Sequence, residues 1–207
     1  MKTNKIILPI DTLNSIVISF DTFIENLVEE SQVTIKLSTP VTNYYLCKNG
    51  LAFLYLDNFL AQINLVLTHQ VQLPQHITSS LGYVWNNFLY LCSQHAKCNS
   101  YCSRLRALIK YSLSSAPKCG DSWLYNKGTG YFFESNPNYF ALANETDPLI
   151  SYADFIKTYQ PYLMKKISKK NLLLWKAKIN FLQKIMKKNE KIFYEFSSHK
   201  KGKVIEQ

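Results

Sequence analysis

Apolar residues recur along this chain with two distinct periods. In QVTIKLS, Val33, Ile35 and Leu37 alternate with polar neighbours, the two-residue rhythm of a half-buried strand. Ile6–Ile10 reads as a further strand. Phe23, Ile24, Leu27 and Val28 instead recur at three- and four-residue spacing behind a capping box, Thr22 with Glu25. That pattern predicts a short helix over 22–30. In NYYLCKNGLAFLYLD, Asn49-Gly50 sits between two runs rich in Tyr, Leu and Phe. The pair supplies the positive-φ positions of a tight turn. It predicts a hairpin of Tyr44–Cys47 with Leu51–Leu56, then a helix capped by Asp57 with Phe59, Leu60, Ile63, Val66 and Leu67 on one face.

The middle of the chain takes up the helical period. Ile77, Leu81, Val84, Trp85, Phe88, Leu89 and Cys92 follow Pro74, and Tyr101, Leu105, Leu108, Ile109 and Leu113 precede Pro117. Strand character returns at Trp123–Tyr125, Tyr131–Phe133 and Tyr139–Leu142, separated by the turn sequences KGTG and NPN. Ser151 and Asp154 form a second capping box for a helix through Phe155 and Tyr159, interrupted at Pro161. The fold class expected is α+β: antiparallel hairpins packed with a helical middle section and a long basic amphipathic C-terminal helix.

That last helix is the longest uninterrupted signal. Asn171–Phe196 contains neither Pro nor Gly and consists mostly of good helix formers. At 100° per residue, Leu172, Leu174, Trp175, Ile179, Phe181, Leu182, Ile185, Met186, Ile192 and Phe193 fall on one half of the wheel. Lys176, Lys184, Lys187, Lys188 and Lys191 fall on the other, while Lys178 and Asn189 intrude on the apolar side. Leu172, Trp175, Ile179, Leu182, Met186, Phe193 and Phe196 also fit a heptad seam broken at Asn189.

Charge sharpens this picture. The net charge is +10, yet residues 1–163 hold eleven basic and eleven acidic side chains. The whole excess lies in 164–207, where thirteen lysines face Glu190, Glu195 and Glu206. The chain therefore reads as a mixed α+β body, 1–163, and a basic amphipathic helix with a short tail, 164–207, docked on the same core. Apolar residues make up 47% of the 207, enough to fill such a core and too many for a disordered chain. No run of eighteen apolar residues exists, and the N-terminal apolar run ends after five residues at Asp11, unlike a secretory signal. A cytoplasmic protein is expected.

Two candidate sites follow. Cys92, His95, Cys98 and Cys102 have the spacing C-x2-H-x2-C-x3-C, a donor set that suits zinc. Most structural zinc sites use two ligand pairs across a longer spacer, and Cys92 also occupies an apolar helix position, so packing of free thiols is the plainer reading and no cofactor is expected. The second is the lysine face of Lys176, Lys184, Lys187, Lys188 and Lys191, which can approach phosphates and release their counterions. Lysine lacks the bidentate fork of arginine, so base-specific reading is not expected of it. No phosphate-cradling loop, nucleophile elbow or carboxylate pair is legible. The expected function is a non-enzymatic binding protein that engages nucleic acid or an acidic protein surface. An anionic membrane ranks behind these, and the helix could also pair two copies of the chain. The alternative is a protein-interaction module of the immunity, adaptor or translocated-effector type, using its aromatic hairpin surfaces.

Overall fold

The computed structural model describes residues 2–68, 121–126, 129–136, 153, 154, 157 and 161–202. Among these residues the architecture is α+β, with two antiparallel sheets and two α-helices. The first sheet is a meander of β1 (Lys5–Pro9), β2 (Ser15–Phe20), β3 (Gln32–Ser38) and β4 (Asn43–Leu51) in that spatial order. Helix α1 (Ala52–Leu67) follows directly. The second sheet pairs β5 (Asp121–Asn126), β6 (Tyr131–Asn136) and β7 (Leu163–Ile167), and α2 (Lys169–Gly202) closes the described chain.

The period-two stretches form strands because alternation lets one face of the sheet leave water. Ile16, Ile18 and Phe20 on β2 and Val33, Ile35 and Leu37 on β3 are buried, while their neighbours lie on the opposite, solvent-facing side. The β1–β2 turn is closed by Asp11, whose carboxylate accepts the backbone N–H of Leu13 and of Asn14 at 2.8 and 2.7 Å. Helix α1 contributes Leu56, Phe59, Ile63 and Val66 to the core, and α2 contributes Leu172, Trp175, Ile179, Leu182 and Met186. Phe133 meets Trp175 edge to face at 6.2 Å, which ties the second sheet to α2. Helices and sheets thus share one apolar core.

Two local readings are corrected. The Asn49-Gly50 hairpin does not form: Asn43–Leu51 is one continuous strand, and α1 starts at Ala52, five residues before Asp57. Of this pair only Asn49 has positive φ (53°), whereas the expected turn needs two such residues in succession. Gly50 serves space instead. A Cβ there would collide with the Tyr55 ring and lie 2.7 Å from Cys47 Sγ. The helix needs no Asp57 cap because the Ala52 N–H donates to Ser31 O at 2.8 Å. Asp57 instead accepts a hydrogen bond from Gln183 of α2.

The helix expected over 22–30 shrinks to one 3-10 turn, Ile24–Asn26, and Thr22 makes no cap. The carbonyls of Glu25 and Leu27 both accept from Asn189 Nδ2, at 3.0 and 2.9 Å, and the Glu29 N–H donates to Glu190 Oε1 at 2.9 Å. Those backbone groups are engaged by α2 and not by a helix of their own. Strand β7 went unread because LMKKI has no clean alternation; pairing with β6 creates it. The middle helices, the strand Tyr139–Leu142, and most of the helix through Phe155 and Tyr159 lie outside the described residues.

Candidate functional site

Helix α2 is seated by its apolar seam and then fixed by polar groups on the same side. Trp175 Nε1 donates to Pro9 O at 2.7 Å, Asn171 Nδ2 to Ile10 O at 3.0 Å and Lys178 Nζ to Ile7 O at 2.6 Å. These donors are spaced by four and three residues, one helical stripe running along β1. β1 is an edge strand, so the carbonyls of Ile7 and Pro9 face away from β2 and would otherwise lack partners inside the sheet. Pro9 has no N–H to leave unpaired, which suits it to that edge. Lys178 and Asn189, the two intruders on the apolar half of the wheel, are therefore the side chains that cap exposed main chain.

With the seam docked, the opposite side of α2 is set. Lys184, Lys187, Lys188 and Lys191 are exposed, and Lys176 is half-buried. The first four span eight residues, roughly 10 Å of helix. Lys176, Lys184, Lys187 and Lys188 form no ion pair with the described residues, where the pairs found are Lys2 with Glu25 and Lys157 with Asp154. The apolar half is wider than the buried seam: Phe181 is 58% exposed, and Leu174 and Ile192 are also exposed. Phe193 and Phe196 lie beyond the described side chains.

Cys92, His95, Cys98 and Cys102 lie outside the described residues. Within those residues no group of three or more His, Cys, Asp or Glu side chains is placed to hold a metal. Cys47 is buried, with its Sγ 3.8 Å from Val33 O. Glu134 is fully buried and accepts the Tyr125 hydroxyl at 2.8 Å.

Sequence reading missed a second cationic surface, on the outer face of the first sheet. Lys36 of β3 stands directly opposite Tyr45 of β4, and their ammonium-to-centroid distance is 4.7 Å. Lys48 Nζ lies 4.0 Å from the same centroid. One signal was legible beforehand: none of the four strands contains an acidic residue. The convergence of Tyr45 and Lys48 was not, because residues three apart on a regular strand point to opposite faces.

Among the described residues, no helix is long and apolar enough to cross a membrane. Compared with protein-family models, curated proteins and solved structures, the chain matches none.

Proposed function

We propose that this chain is a non-enzymatic binding protein that engages a polyanion, nucleic acid first, through the lysine face of α2. The observation that supports the reading is the outward, acid-free stripe of Lys184, Lys187 and Lys188 on a helix anchored along its other side. Anchoring matters because an ordered row of charges loses little further freedom on binding. Like charges at three- and four-residue spacing repel one another, and an approaching phosphate relieves that repulsion while releasing condensed counterions. The contact is electrostatic and sequence-independent. A second copy cannot use Leu172–Met186 as its coiled-coil seam, since those side chains already fill the chain's own core.

On the same reading the protein works in the reducing cytosol, where disulfides are rare. For Cys92, His95, Cys98 and Cys102, zinc stands as a side proposal. Metal content below about a tenth of an equivalent, in protein purified without chelator, would end it.

The test of the main reading is a salt titration of binding to a labelled duplex. Replacing Lys184, Lys187, Lys188 and Lys191 by Gln should lower the slope of log K against log salt by roughly 3 to 4 if each lysine neutralises one phosphate. An unchanged slope would sink the reading. Flotation with anionic vesicles that equals nucleic-acid binding in strength would move the partner to a membrane.

A further inference from the structure

The outer face of the first sheet carries a site distinct from α2. It is a shallow depression of about 400 Å³ lined by Ser19, Thr34, Lys36, Tyr45, Lys48 and Asn49. Two irregularities in β4 build it. Pairing with β3 is regular at Lys36↔Tyr45, then shifts so that Ile35 faces Cys47, then shifts again so that Val33 faces Gly50. The first bulge turns Leu46 and Cys47, neighbours in sequence, both into the core. Alternation is thereby reset, and Tyr45 and Lys48 emerge on the same outer face. The second irregularity contains Asn49 in its left-handed conformation. Bulges that re-aim side chains in this way are enriched beside functional sites.

The charge arrangement favours an anion. Lys36 and Lys48 converge on one tyrosine ring, and neither forms an ion pair with the described residues. Two ammonium groups held near one ring repel each other, and an approaching anion relieves that repulsion. Ser19 and Thr34 stand side by side in register on β2 and β3 and add hydroxyl donors. Tyr45 is 40% exposed, and a planar partner takes the ring once an ammonium now over it swings out to a phosphate. A flat aromatic group, flanking cations and hydroxyl donors on a sheet are the parts that hold an unpaired nucleotide: the ring stacks on the base while the ammonium groups take the phosphates. A duplex keeps its base faces stacked inside and cannot use the ring.

We propose that this depression binds single-stranded nucleic acid, with Tyr45 as the stacking platform and Lys36 and Lys48 as phosphate contacts. This rests on the nucleic-acid reading of the protein and adds to it a preference for unpaired strands.

Fluorescence anisotropy with a labelled oligo-dT strand, against a duplex of matched length, tests the inference on the full chain. The variants are Lys36→Gln with Lys48→Gln, Tyr45→Ser, Tyr45→Phe, and the four-lysine Gln variant of α2. All sheet substitutions are on exposed or half-buried positions, and melting curves establish that each variant is folded. The double Lys variant and Tyr45→Ser should each weaken oligo-dT about 10-fold or more and change duplex binding far less, while Tyr45→Phe keeps wild-type affinity. Equal loss on both nucleic acids overturns the preference for unpaired strands and with it this inference; wild-type oligo-dT binding by the sheet variants while the α2 variant loses it overturns the inference and leaves α2 as the interface. Loss in the sheet variants with none in the α2 variant upholds this site and removes the reading of α2. A wild-type chain that binds neither probe overturns both.

Discussion

The two helices that meet in the core treat the polar residues on their inward sides in opposite ways. On α2 the half-buried Asn171, Lys178 and Asn189 all reach backbone carbonyls, those of Ile10, of Ile7 in β1 and of the 24–27 turn. On α1, Gln62 is 1% exposed, and neither its Nε2 nor its Oε1 has a hydrogen-bond partner among the described residues. The difference lies in what each helix faces. Helix α2 runs along a sheet edge and an irregular turn, both with carbonyls within its reach, whereas Gln62 meets no such partner among the described residues. A polar residue on a buried face stabilises or destabilises according to the unpaired main chain within its reach.

That contrast can be broken outright at Trp175, which combines both kinds of contact. Trp175→Ala should cost about 3–5 kcal/mol, because it opens a cavity and orphans Pro9 O, read as a lowered denaturation midpoint. Asn189→Leu sharpens the comparison. It repairs the heptad pattern yet should destabilise by about 1–2 kcal/mol, since two carbonyls lose their donor. Gln62→Leu is the mirror experiment and should stabilise by about 1 kcal/mol in urea denaturation. If both leucines shift stability in the same direction, the stated contrast between the helices fails.

The smallest effects concern two carboxylates. Burial alone would raise the pKa of Asp11, but hydrogen bonds from Leu13 and Asn14, helped by Lys165, bring it below its ordinary 3.8. A depressed folded pKa means that this contribution is complete above 3.8 and fades as pH falls through the lowered value. Glu29 is raised above its ordinary 4.5, by desolvation first and then by Glu190 and neighbouring carboxylates. Its ionised form is disfavoured in the folded state, so the penalty is full at neutral pH and is relieved as pH falls through the raised value. Acid titration of stability should therefore lose its component below pH 3.8 in Asp11→Ala, whereas Glu29→Gln should be slightly more stable than wild type at pH 7 and no different at pH 3.

Much of the scaffold could be read in advance. Strand β3 has the predicted bounds, β5 and β6 form around the predicted turn, and the seam Leu172–Met186 is buried residue by residue. The α2 lysines could be placed on one face by angle alone. Harder to foresee were Lys178 and Asn189, which looked like defects because their acceptors lie more than 160 residues away. Lys36, Tyr45 and Lys48 lie close in sequence, but a strand period of two separates them until bulges reset it.

Periodicity alone determined that Gln32–Ser38 becomes a strand and which face of α2 turns inward, since the rhythm of apolar side chains acts through local backbone geometry and needs no knowledge of the partner. Only tertiary structure decided where α1 begins, why 24–27 is not a helix and where the cations of the first sheet converge. Each of those outcomes depends on a backbone N–H or carbonyl satisfied by a group far along the chain, or on a one-residue slip between strands, and neither leaves a trace in the local pattern.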